Sequence, residues 1–376
     1  MDNLLLSGGL SFLITFFSIP VIIEVAKEKK FYDEPDERKV HKAVIPTLGG
    51  LGIFAGFIIS VLLGVPAGSA AVLQYFVAAL MVIFFLGIKD DILVLSATKK
   101  FIGQLVAAGI IIKFGGVQIT NMHGFLGVYE IPHTASVLLS LFTIVVITNS
   151  FNLIDGVDGL AGSLALMTST IFGVYFLFTS QLMYAVMAFG LSGSLVGFLI
   201  YNFSPAKIFM GDTGSLLIGL LNAVFVIKFI AVASEPGYYF IASAPAIGFA
   251  ILMVPLFDTL RVVSLRIISR RSPFSPDRNH IHHFLLDLGM NHKMITIICV
   301  LTNILFIALA YSLRSFGTNF VIGSLSTTSI VLVSFIYYRR RPKATPAITL
   351  SSSARKGSLI KPRKILTLAG EAVEQD

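Results

Sequence analysis

The sequence predicts an all-α polytopic membrane protein of about 11 transmembrane helices, with the N-terminus outside and the C-terminus cytoplasmic. Three observations carry that expectation. Apolar runs of about 18 to 23 residues recur along the 376 residues, each long enough to cross a hydrocarbon core of roughly 30 Å as a helix. Mean hydropathy is +0.87 and only 13% of residues are charged, too little polar surface for two or three soluble domains. Lysines and arginines gather on alternate connections, which orients the spans.

The spans are expected at roughly 4–26, 47–65, 70–89, 100–114, 133–152, 160–180, 182–201, 213–232, 240–260, 294–313 and 318–338. The first run exceeds a signal-peptide core and opens on Asp2 rather than basic residues, so it is expected to remain as an anchor. With that span running inward, the inner connections and the tail hold 25 of the 28 lysines and arginines. Lys113, Lys228 and Arg314 are left at or near outer ends. The net charge of +8 is therefore a topology signal and implies no nucleic acid partner. Residues 1–340 read as one membrane domain and 341–376 as a basic, polar cytoplasmic tail expected to be disordered.

Smaller features follow the same frame. Cys299 is the only cysteine, which excludes a disulfide and a thiolate metal site. The outer loop 115–132 opens with Gly115-Gly116 and alternates at Val117 and Ile119, so a short hairpin is expected there. Gly52-x-x-x-Gly56 and Gly193-x-x-x-Gly197 suit close helix contacts inside the bundle. No internal repeat is visible, which weakens an inverted-repeat transporter reading.

The polar residues inside this apolar chain are informative. Asn149, Asn152, Asp155 and Asp158 interrupt two apolar runs, with Gly156, Gly159 and Gly162 among them. Ionisable groups at membrane depth mark functional sites by default. In the predicted topology Asp90-Asp91, the 152–158 group, Asp212 and Asp258 all fall at the cytoplasmic face. Carboxylates converging without matching bases imply a hard cation, Mg²⁺ or Mn²⁺. Lys42, Lys99, Lys100, Arg266, Arg270, Arg271 and Arg278 are nearby, with His280, His282 and His283. A metal with Lys, Arg and His facing one site suits phosphate chemistry. The start of Gly211-Asp-Thr-Gly-Ser215 offers backbone N–H groups to an anion. Taken singly, each feature has a plainer explanation. Asp90-Asp91 could be a solvated cap, and Asp258 a partner for Arg261 or Arg266. Phe209 could be an interfacial aromatic, Lys42 and Thr47 loop residues, and the histidines a zinc site.

Four separated blocks, in order, resemble one family. They are Asp90-Asp91 followed by Lys100, Asn152-x-x-Asp-Gly-x-Asp-Gly159, Phe209-Met-Gly-Asp-Thr-Gly-Ser215, and Ser275-Pro-Asp-Arg-Asn-His-Ile-His-His283. The family is the polyprenyl-phosphate N-acetylhexosamine-1-phosphate transferases (glycosyltransferase family 4 type). It includes the enzyme that makes lipid I and the bacterial undecaprenyl-phosphate GlcNAc-1-phosphate transferases. The resemblance runs from about Lys42 through the last span. Ile281 within the histidine block is similar to the GlcNAc-1-phosphate branch.

The resemblance implies roles. Asp212 is similar to the principal Mg²⁺ ligand, with Asn152 beside it. Asp90 and Asp91 are similar to the essential acidic pair, and Lys100 to a lysine facing the pyrophosphate. Asn149, Asp155, Asp158, Lys42 and Thr47 are similar to substrate-pocket residues, and Phe209 to the aromatic beneath uracil. Arg278, His280, His282 and His283 are similar to a loop that closes over phosphates and sugar. The implied substrates are a UDP-N-acetylhexosamine and undecaprenyl phosphate in the inner leaflet of the bacterial cytoplasmic membrane, and a homodimer is compatible with the sequence. A transporter or flippase of lipid-linked sugars is the alternative, because many spans with scattered polar residues suit both.

Overall fold

The computed structural model describes residues 2–29, 32–33, 45–237, 239–272 and 279–339. Lys42, Arg278 and the tail 341–376 lie outside the described residues. The helices are α1 (Asp2–Lys29), α2 (Gly49–Gly64), α3 (Ala70–Leu93), α4 (Ala97–Lys113), α5 (His133–Ile154), α6 (Leu160–Phe178) and α7 (Leu182–Asn202). They continue as α8 (Gly211–Ala233), α9 (Ala244–Ile251), α10 (Met253–Ile268), α11 (Ile281–Asp287), α12 (His292–Leu313) and α13 (Thr318–Arg339). Strand β1 (Tyr32–Asp33) pairs antiparallel with β2 (Ile45–Pro46), and β3 (Asn121–Phe125) with β4 (Val128–Glu130). The second pair is the hairpin expected in 115–132.

All eleven predicted segments are helical. Among the described residues eight helices are long and apolar enough to cross a membrane, so the chain is a polytopic all-α membrane protein. Two predicted spans are short: α2 has 16 residues, and α4 has 17 and carries Lys99 and Lys100. The segment predicted as one span over 240–260 is instead broken, with α9 and α10 meeting at 85°. Pro255 is the local cause, since it cannot donate to the helix ladder. Asp258, expected to close that span, lies beyond the break on α10.

Helix α8 is apolar on nearly every side and is buried along most of its length, with α2, α3, α5, α6 and α9 packed around it. Small residues allow close approach. A Cβ at Gly87 would lie 2.4 Å from Thr213 Cα, and one at Gly50 would lie 2.2 Å from Gly214 N. Both Gly-x-x-x-Gly faces meet α1, as a Cβ at Gly56 would strike Thr15 and one at Gly193 would strike Gly8. Ser11 Oγ donates to Gly190 O (2.6 Å) and Thr15 Oγ1 to Gly52 O (3.0 Å), tying α1 to α7 and α2.

Candidate active site

The site is built at the N-terminus of α8. Phe209 N–H donates to Pro46 O (2.7 Å), while Gly49 N–H and Gly50 N–H donate to Phe209 O (2.9 Å) and Met210 O (2.8 Å). The Pro46–Gly50 segment, with Thr47 inside it, is thereby zipped against the approach to α8. Gly211 turns the chain with φ +70°, where a side chain would strike Thr47 O and the Asp91 carboxylate.

Asp91 Oδ1 accepts from Asp212 N–H (2.6 Å), and its Oδ2 accepts from Thr213 N–H (3.0 Å) and Thr213 Oγ1–H (2.5 Å). It is a helix cap delivered from α3, satisfying the first open donors of α8 and matching the positive end of its dipole. Those N–H groups were expected to be offered to an anion, and in the structure the anion on two of them is the Asp91 carboxylate.

The Asp212 carboxylate meets side chains of α4 and α5. Lys100 Nζ bridges Asp212 Oδ2 and Asp90 Oδ2, and Asp90 Oδ1 accepts Leu95 N–H. Asn152 Nδ2 donates to Asp212 Oδ1 (2.7 Å) and to Ser215 Oγ (2.9 Å). Asp90 is buried and bonded, so the solvated-cap reading of Asp90-Asp91 does not hold. Side chains from α3, α4, α5 and α8 therefore converge on one carboxylate.

Asp155, in the α5–α6 connection, is half-buried and has no hydrogen-bond partner among the described residues. Burial raises its carboxyl well above the ordinary range, and the charges of Asp212, Asp91 and Asp158 raise it further. An unpartnered carboxylate pressed by three others suits a hard divalent cation. Asp212 and Asp155, with the Asn152 amide oxygen, could hold one. Among the described residues no three His, Cys, Asp or Glu side chains form a ready metal cage. A magnesium ion needs only one or two carboxylates when phosphates and water complete its shell.

Other expected site residues have internal partners. Asn149 exchanges hydrogen bonds with Gln104 (2.6 and 3.3 Å), locking α5 to α4 one turn from Asn152 and Lys100. Asp158 accepts from Ala206 N–H (3.1 Å) and pairs with His292 Nδ1 (2.9 Å). It ties the loop before Phe209 to α12 and thus acts as a positioning residue. Gln104 and His292 were not singled out in the sequence, and Thr213 and Ser215 were quoted within their block without a role of their own. Gln104, one helical turn beyond Lys100, was the legible hint.

On α10, Asp258 accepts from Arg261 (2.8 Å) and Ile281 N–H (3.1 Å), and meets His280 Nδ1 at 2.9 Å. The expected pairing with Arg261 is present, and the histidine is held with it. His280 and His282 stack nearly parallel (5.6 Å, 6°), and among the described residues the histidines are not part of a group of three side chains gathered for a zinc ion. His283 lies beside His282 with ring centroids 4.4 Å apart. His282 reaches the α5–α6 connection, since a Cβ on Gly156 would lie 2.6 Å from its Nε2.

His282 supplies a pH test. Burial first, and then the charge of His283, depress its imidazole from 6.5 to about 3. A histidine neutral in the fold binds a proton on unfolding, so its effect is absent above pH 6.5. The fold loses stability progressively as pH falls from 6.5 towards about 3. The thermal midpoint in detergent should fall across that window, and His282→Gln should flatten the slope. An unchanged slope would show that His282 does not carry the effect.

Comparison with known proteins agrees with this geometry. Residues 73–230, which contain Asp90, Lys100, Asn152, Asp155 and Asp212, match the family described as Glycosyl transferase family 4. A probable undecaprenyl-phosphate N-acetylglucosaminyl 1-phosphate transferase of Bacillus subtilis is 32% identical over 325 residues, 84% of this chain and 87% of that protein. A decaprenyl-phosphate N-acetylglucosaminephosphotransferase of Mycobacterium leprae is 35% identical, covering 80% of this chain and 81% of the relative. An undecaprenyl-phosphate alpha-N-acetylglucosaminyl 1-phosphate transferase of Escherichia coli K12 is 28% identical, covering 77% and 78%. The chain belongs to glycosyl transferase family 4. It is a multi-pass membrane transferase of that family.

Proposed function

We propose that this protein transfers N-acetylhexosamine 1-phosphate, most readily GlcNAc-1-phosphate, from the UDP-sugar to undecaprenyl phosphate, releasing UMP and starting a lipid-linked surface glycan. The observation that carries this reading is the bridge from Lys100 to Asp90 and Asp212, with Asn152 on the same carboxylate. It places one fixed cation among several acids at the end of a buried helix, a constellation suited to phosphate groups and a divalent ion. The relatives' names supply the lipid acceptor and the sugar.

An oxygen of the lipid phosphate attacks the sugar-bearing phosphorus, and the bond to the UMP oxygen breaks. That phosphate is already largely dianionic at neutral pH, so a general base would add little. Single displacement is favoured over an aspartyl-phosphate intermediate, because both oxygens of Asp91 and of Asp90 already carry partners. Mg²⁺ held by Asp212 and Asn152, with Asp155 nearby, would neutralise phosphate charge. Lys100 orients the phosphates, and His280, His282 and His283 close the α10 side.

The acceptor tail needs an apolar route. An apolar cavity of about 340 Å³ between α5, α8, α9 and α10 includes Phe142, Val146, Val226, Phe249 and Leu256. It reaches Met122 and Phe125 of β3, away from Asp212, so it would take a distal part of the chain. It suits an isoprenoid chain. The positive-inside pattern supports eleven spans in the bacterial cytoplasmic membrane, N-terminus outside and active site cytoplasmic. Transporters often build their sites on broken helices, and α9–α10 is a broken helix. Its break, however, is closed by Asn303 of α12, which meets the open backbone groups.

The test is UMP release from UDP-GlcNAc by purified protein with undecaprenyl phosphate. Release should require the lipid, stop with EDTA and return with Mg²⁺. Transport of a lipid-linked sugar without UMP release would support the alternative.

A further inference from the structure

The break between α9 and α10 has a partner on another helix. Pro255 has no N–H, so the Ile251 carbonyl has no donor four residues ahead of it. The Val254 N–H is likewise turned out of the ladder. In a bilayer each open backbone group is costly unless another part of the protein meets it. Asn303, fully buried in the middle of α12, meets them all. Its Oδ1 accepts Val254 N–H (2.9 Å), and its Nδ2 donates to Ile251 O (2.9 Å) and, at 3.4 Å, to Ala250 O. One side-chain amide stands in for the missing rungs.

Two things depend on the direction that α10 takes from there. Asp258, a turn beyond the break, holds Arg261, His280 and the start of α11. The apolar cavity is walled on both sides of the bend, by Gly248 and Phe249 before it and Leu256 and Leu260 after it. The 85° angle therefore sets the width of the cavity as well as the place of the histidines.

We propose that Asn303 is a positioning residue for the acceptor lipid: by pinning the α9–α10 bend it sets the groove that receives the isoprenoid chain. The proposal rests on the reading of that cavity as the acceptor groove. An aliphatic side chain at 303 leaves three backbone groups open, and the bend relaxes. A long chain that must thread the groove then binds poorly, whereas a short one that engages only the phosphate end is less affected.

The test compares undecaprenyl phosphate with farnesyl phosphate as acceptors for wild type, Asn303→Leu and Asn303→Asp. Asn303→Leu should raise KM for undecaprenyl phosphate by about tenfold or more while KM for UDP-GlcNAc stays unchanged and farnesyl phosphate loses less. Asn303→Asp, held protonated by its burial, keeps an acceptor for Val254 N–H and an O–H donor for Ile251 O, so it should stay near wild type. It also keeps the test open if the leucine variant fails to fold. Proportional losses for both acceptors and the donor with Asn303→Leu, or no change at all with it, would overturn the proposal. A wild-type protein inactive with both lipids would instead sink the transferase reading itself.

Discussion

Asp212→Ala should fold in detergent and lose Mg²⁺-dependent UMP release by at least about a hundredfold, the scale of removing a charge-stabilising group from a transferase site. Asp212 is held from three other helices, its carboxylate by Lys100 and Asn152 and its backbone N–H by Asp91. Its removal leaves Lys100 paired with Asp90 alone and Asn152 with Ser215 alone. Folding should survive, because α8 is held by packing along its whole buried length rather than by its first turn. Melting temperature and turnover measured on the same sample separate the two effects. Retained turnover would place the principal ligand elsewhere, with Asp155 the next residue to examine.

The second large effect is expected at Asp91. Asp91→Ala opens two backbone N–H groups and a hydroxyl at the start of α8. Loss of such a cap costs about 1–2 kcal/mol of stability, and the charged hydrogen bonds can add to that. Turnover should fall by about a hundredfold, because an error of roughly 1 Å in the placement of a site residue is costly on that scale. Asp91→Asn keeps one acceptor oxygen and should retain measurable turnover at an intermediate melting temperature. A reacting carboxylate would behave differently, with the asparagine variant as inactive as the alanine variant and no less stable than wild type. That outcome would return Asp91 to the chemistry itself.

The helical, membrane-spanning character was legible because it rests on run length and charge, which any window of the chain displays. The gathering of Asp90, Lys100, Asn152, Asp155 and Asp212 was legible too, since all carry groups that an apolar chain has little reason to keep. What each carboxylate faces was not. A carboxylate aimed at a ligand and one aimed at a helix end 121 positions later look alike in sequence, and Asp91 is the second kind. For Asp158 and Asn149 too, the protein partners lie on distant elements, α12 and α4, and left no mark in the sequence. The break at Leu252 escaped notice because hydropathy does not register a missing N–H, so 240–260 read as one span. Asn303 escaped with it, a single amide in an apolar run whose purpose appears only beside Pro255. The 16 residues of α2 show the converse: a run apolar enough to span that the structure leaves short.

The most direct measurement is anomalous scattering from crystals grown with Mn²⁺ and UDP-GlcNAc. A single manganese peak should lie at coordination distance from an Asp212 oxygen, about 2.0–2.3 Å, with the donor's phosphate oxygens completing the shell and Lys100 beside them. A peak among His280, His282 and His283 with none at Asp212 would contradict the account.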